Sequence, residues 1–159
     1  MESIGRTNIP GKLAIVSRSI QHLDAVPYSA LAIPLRLAIA VIFWNSAMTK
    51  LDDWNAVLFL FREEYRLAIL PPEIAAQAAL VVELSMPVLL VLGFFTRGAA
   101  LVLLAMTTVI EVFVYPQAWP THLQWAAMLL VLLCRGGGRI SLDSMLNGYF
   151  ARRGSGTIA

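Results

Sequence analysis

Apolar residues come in long blocks along this chain, separated by short polar breaks. Four blocks stand out: Ser29 to Thr49, Glu73 to Phe95, Gly98 to Tyr115, and a shorter one from Leu123 to Arg135. The fourth gains length if it starts near Pro120 and runs close to Gly136. A helix needs about 20 apolar residues to cross about 30 Å of hydrocarbon. Lipid admits spanning structures only as helices or closed barrels, and these blocks lack the period-2 alternation of barrel strands. The pattern therefore predicts an all-α membrane protein, a four-transmembrane-helix bundle. Between the first two blocks the period changes. Trp54, Val57, Leu58, Phe61, Tyr65 and Leu67 recur at helical spacing, with Arg62, Glu63, Glu64 and Arg66 crowding the other side. That predicts a short interfacial helix with Trp and Tyr at headgroup level. Pro71-Pro72 ends it and starts the second span.

Composition and charge then fix the boundaries and the orientation. Of 159 residues, 58% are hydrophobic and 14% charged, against about 25% charge in an average soluble domain. Four spans use most of the chain, so one domain is expected: a cytoplasmic leader over 1–28, the bundle over 29–135, and a cytoplasmic C-terminal segment over 136–159. The leader has no short apolar core followed by a small-residue cleavage site. In the last segment, Ser141 is expected to cap a short surface helix. With an inner N-terminus, eight inner positives (Arg6, Lys12, Arg18, Arg97, Arg135, Arg139, Arg152, Arg153) face three outer ones (Lys50, Arg62, Arg66). That imbalance places both termini in the cytoplasm. It also accounts for the net charge of +2, so no nucleic-acid partner is implied.

Charged groups inside the blocks are the candidate chemistry, because intramembrane charges face a bundle interior and mark functional sites. Arg36 falls about a third of the way across the first span and shares a face with Ala40, Phe43, Ala47 and Lys50. Glu83 falls near the middle of the second, and Pro87 cannot donate to the carbonyl of residue 83. The two differ in depth by about one turn and are expected to approach each other. Glu83 then has two readings, a structural ion pair or a proton or ligand site, and Arg36 can also snorkel to headgroups. Glu111 in the third span, His122 at the start of the fourth, and Asn45 and Lys50 at the end of the first lie at one level. They are expected to line an outer-leaflet pocket with Glu83 at its floor. Such a pocket suits quinol chemistry or a cation. Cys134 stands alone, which excludes a thiol pair within the chain. Met48, Met86, Met106 and Met128 read as packing rather than as copper ligands, and no metal site is expected.

The order of these features resembles the DoxX family of small four-helix membrane proteins. The resemblance is carried by Leu35-Arg36-Leu37, Lys50-Leu51, Val82-Glu83-Leu84, Leu92-Gly93-Phe94-Phe95-Thr96-Arg97-Gly98-Ala99-Ala100, and Arg135-Gly136-Gly137-Gly138-Arg139-Ile140-Ser141-Leu142-Asp143. It spans about residues 30 to 147, and departs at Gly137, where the family often has proline. The resemblance implies a multi-pass protein of the bacterial inner membrane. Some members are subunits of thiosulfate:quinone oxidoreductase, and others are linked to thiol and oxidative-stress handling. It implies no catalytic residue. The expected function is an accessory subunit of a quinone- or thiol-linked redox system or stress response, possessing no catalysis of its own. The alternative is a small transporter or permease-like protein for a metal ion or small organic substrate. Expected partners are the lipid bilayer and redox-complex subunits or a second copy of the chain.

Overall fold

A computed structural model describes residues 20–65 and 70–154, with the side chains of 151–154 outside that description. Most of the expected leader, Arg66 and Leu67 of the interfacial segment, and the last five residues lie outside the described residues. All described elements are helical. Helix α1 is Tyr28–Asp52, and α2 is Trp54–Leu60, prolonged by a π turn at Phe61–Tyr65. Helix α3 is Pro72–Leu92, α4 is Thr96–Val109 prolonged by a π turn at Ile110–Val114, α5 is Trp119–Arg135, and α6 is Leu142–Gly154.

Helices α1, α3, α4 and α5 close into a ring in which α1 packs on α3 and α5, and α4 packs on α3 and α5. Among the described residues, three helices are long and apolar enough to cross a membrane: α1, α3, and α4 with its π turn. The chain is thus a membrane protein with several apolar helices. Helix α5 has 17 residues, about 25 Å at 1.5 Å per residue.

Each helix buries one narrow stripe and leaves the rest apolar and open. On α1 the buried stripe is Ala32, Arg36, Ile39, Ala40, Phe43 and Ala47, at the three- and four-residue steps of one helical face. Ile39, Phe43, Leu90, Ala99, Ala100, Leu103, Leu129 and Leu132 form the central core. Small residues let the backbones close up, as helix packing in lipid requires. The outward faces carry Leu31, Leu37, Val41, Val81, Val88, Leu101, Val112, Leu123 and Leu130, all exposed on the isolated chain. A soluble protein does not show an apolar surface of this extent.

A helix, α2, stands where the interfacial helix is expected. Asp53 caps it by accepting the Ala56 N–H at 2.9 Å. Val57 and Phe61 bury against Ala75 and Ala76 of α3, and Arg62 bonds Glu73 through Nε at 3.0 Å.

The turn between α3 and α4 is built for close approach. Gly93 ends α3 at φ 66°, and the Phe94 N–H returns to the Leu89 carbonyl at 3.0 Å. A methyl group at Gly93 would sit 2.8 Å from an Arg36 nitrogen and 2.6 Å from Ser141 Cβ. Glycine is needed there for the dihedral and for the space. The segment leaving α5 folds back onto this turn. Ser141 caps α6, accepting the Ser144 N–H at 3.2 Å. Asp143 bonds the Phe95 and Thr96 N–H groups at 2.7 and 2.9 Å, capping α4 from another element.

Candidate functional site

Arg36 and Glu83 are both buried, at 6% and 1% exposure, but they do not pair with each other. Arg36 donates to the Gly137, Ile140 and Val91 carbonyls at 2.9, 2.8 and 2.9 Å. Glycine turns and a helix C-terminus expose carbonyls that intrahelical bonds cannot reach, and one guanidinium takes three of them. The expected Arg36–Glu83 contact is therefore corrected: the partner of Arg36 is backbone, drawn largely from a segment about a hundred residues later.

Glu83 instead meets the other end of α1. Lys50 Nζ lies 2.8 Å from Glu83 Oε2 and donates to Oε1 at 2.9 Å. Ser46 Oγ donates to the same Oε1 at 3.0 Å and accepts from Lys50 Nζ at 3.0 Å. Oε2 is close to the ammonium yet receives no well-aligned hydrogen bond. Ser46 and Lys50 are four apart, so both point to one side of α1. Asn45 precedes Ser46 by about 100° of rotation and is exposed. Its expected place in a pocket is corrected, and Ser46 occupies that role.

The second polar group is the pair His122 and Glu111, with Nδ1 2.6 Å from Oε2. The π turn at Ile110–Val114 carries Glu111, and α5 opens with His122 in its first turn. His122 is 6% exposed and makes an edge contact with Trp125, ring centroids 5.0 Å apart. A carboxylate on Nδ1 holds the ring's orientation and its protonation pattern.

These groups meet around one cavity of about 390 Å³, between α1, the α2 π turn, α3, α4 and α5. Its wall is largely aliphatic, and Ser46, Lys50, Glu83 and His122 supply polar atoms, with Trp125 and Tyr65 among the aromatic lining. Of the six residues singled out from the sequence, Lys50, Glu83 and His122 reach this wall. Glu111 backs His122, Asn45 lies outside, and Arg36 sits at the opposite end of the bundle. Ser46, Tyr65 and Trp125 were not anticipated as lining; the signals were the four-residue step from Ser46 to Lys50 and the three-residue step from His122 to Trp125.

Tyr65 and Tyr115, both on the cavity wall, meet with hydroxyls 3.0 Å apart and rings edge to face. Burial pushes the Tyr65 phenol well above its usual range, and the bond to Tyr115 adds to it. Between the cavity and the Arg36 end lie Ile39, Leu90, Leu103 and Leu129, all at 0% exposure. The two polar ends are thus separated by a dry apolar layer.

Fold and site define a helical membrane protein with a ligand-sized apolar cavity walled by a few converging polar groups. The chain belongs to the DoxX family, which matches residues 31–116. That match covers α1 to α4 with the connecting turns and stops before α5. No curated protein and no solved structure matches the chain.

Proposed function

We propose that this DoxX-family protein binds a small, mostly apolar ligand with a hydrogen-bonding head, of the quinone class, as an accessory subunit of a membrane redox system. The observation that carries this reading is the cavity itself. Its volume of about 390 Å³ falls within the usual 300–1,000 Å³ for small-ligand sites, and mostly apolar walls with a few convergent polar groups are their usual form. The residues fit a quinone. The walls suit a ring and the first part of its tail. Lys50 and Ser46 offer donors, and His122, held by Glu111, offers a proton acceptor or donor at one wall. When bound, a quinone supplies two-electron redox chemistry, and the chain's own residues orient it, exclude water and hold a proton at the His122–Glu111 pair.

Among the described residues the permease reading lacks a continuous polar route, because Ile39, Leu90, Leu103 and Leu129 separate the cavity from the Arg36 end. We place the protein in the bacterial inner membrane with α5 as a fourth, short span and both termini cytoplasmic. The distribution of eight inner against three outer positives supports that orientation.

The test is purification in a mild neutral detergent, followed by mass spectrometry of the extracted small molecules and titration with a short-chain quinone, read by Trp125 fluorescence with Trp44, Trp54 and Trp119 replaced by phenylalanine. The expected result is a co-purified quinone and saturable quenching that weakens in Glu83→Gln. Saturable binding to neither ubiquinone nor menaquinone analogues sinks the proposal.

A further inference from the structure

The Arg36 end of the bundle holds a second cavity, of about 1010 Å³, that shares no lining residue with the first. We propose that it seats the phosphate of an anionic phospholipid, with an acyl chain laid along the apolar face of α6.

One wall is cationic. Arg97, Arg135 and Arg139 line it, and all three are exposed. Among the described residues no acid lies within ion-pair distance of any of them. Asp143 is the one carboxylate on the wall, and both its oxygens are already taken by the Phe95 and Thr96 N–H groups. Among the described residues the side chains of these arginines make only weak contacts. Arg97 reaches the Cys134 carbonyl at 3.3 Å, and Arg135 lies 4.9 Å over the Tyr28 ring. Guanidinium groups bind phosphate oxygens in pairs and with charge assistance. On the same wall the Thr96 hydroxyl is fully buried and has no hydrogen-bond partner.

The other wall is apolar. Helix α6 repeats Leu142, Met145, Leu146 and Phe150 at the spacing of one helical face. All four are exposed on the isolated chain, and Leu146 and Phe150 reach the cavity. A free anion has no use for that wall. A phospholipid uses both, because its phosphate meets the arginines while its chain covers the α6 stripe. The charge complementarity and the adjoining apolar face together select this occupant.

The experiment uses the full chain, delipidated in a neutral maltoside detergent. Native mass spectrometry then follows uptake of phosphatidylglycerol and of phosphatidylcholine with matched acyl chains. The expected result is one phosphatidylglycerol retained per chain in preference to phosphatidylcholine. Arg97→Gln and Arg139→Gln should each lower that preference about fivefold, and lysine at either position should restore most of it. Phe150→Ser should weaken phosphatidylglycerol retention. Equal retention of the two lipids by the unaltered protein overturns the proposal, and that arm needs no variant to fold. Displacement of the lipid by millimolar inorganic phosphate would mark a free-anion site and overturn it as well.

Discussion

Lys50 and Glu83 form the buried ion pair of this bundle, 2.8 Å apart at the cavity wall, joining the end of α1 to the middle of α3. Removing one partner leaves the other charge buried without compensation, which costs more than the pair itself contributes. Lys50→Met should therefore destabilise the protein by about 3 kcal/mol, since Glu83 is 1% exposed. Glu83→Gln should cost less, because the Lys50 side chain is 17% exposed and its ammonium can turn toward water. The double variant should recover at least about 1.5 kcal/mol of the summed loss. Denaturant unfolding of the four proteins in detergent measures this, and strictly additive losses would contradict it.

Arg36 makes a different prediction, since its partners are carbonyls. Arg36→Ala should free the Gly137 and Ile140 carbonyls and loosen residues 136–141 without changing quinone-analogue binding at the far cavity. Hydrogen exchange across that segment is the readout. Gly93→Ala should loosen the same segment, because its φ of 66° is costly for alanine and its methyl would press on Arg36. Unchanged protection in both variants would show that the clasp is incidental.

Much of this arrangement is legible along the chain. Hydropathy blocks give the apolar helices, the 3.6-residue period gives α2, and the lone acid in an apolar run marks Glu83 as buried. Depth along a helix can be read from a count of residues, but azimuth and chain return cannot. Arg36 and Glu83 differ by about one turn in expected depth, so pairing them is reasonable until the Gly136–Ile140 segment folds back and, with the Val91 carbonyl, draws the guanidinium to the other end. Asn45 and Ser46 differ by a single step, and that step decides which one faces the cavity. The second cavity depends on α6 returning beside α4, a contact fixed by Asp143 and invisible to periodicity.

The tyrosine pair predicts a pH dependence. Tyr65 has its phenol raised in the folded state, so its contribution is fully present below the unfolded value of about 10 and is lost as pH rises above it. Stability should be flat between about pH 7 and 9 for this group. Above about pH 10 the unaltered protein should lose stability more steeply than Tyr65→Phe. Below that range the same substitution should cost about 1 kcal/mol, the typical worth of one hydrogen bond. Thermal unfolding of both proteins across that range checks the sign.

Orientation is open to direct chemistry. With Cys134 replaced by alanine, single cysteines at Ala118 and Gly156 should label from opposite sides of the membrane. Ala118, between the π turn and α5, should react with an impermeant maleimide in intact cells, and Gly156 only after lysis. Labelling of both from outside would reverse the reading of α5 as a fourth span, because 118 and 156 would then lie on one side.

The last prediction separates the role of Glu111 from that of His122. His122 is on the cavity wall, whereas Glu111 touches it only through the 2.6 Å contact to Nδ1. Glu111 is thus a positioning residue for the imidazole. Glu111→Gln keeps the shape but can present either an amide N–H or a carbonyl to Nδ1, so the ring loses its fixed protonation pattern. Quinone-analogue affinity should fall about tenfold, the lower end of what loss of an orienting partner costs a histidine site. His122→Gln should lose at least as much, and the double variant little more than His122→Gln alone. Trp125 reports on the pair through its 5.0 Å contact with the imidazole, so with Trp44, Trp54 and Trp119 replaced by phenylalanine its emission should differ from the parent's in both single variants. If Glu111→Gln binds like the unaltered protein while His122→Gln does not, the carboxylate holds only the π turn in place and the proton at this wall belongs to His122 alone.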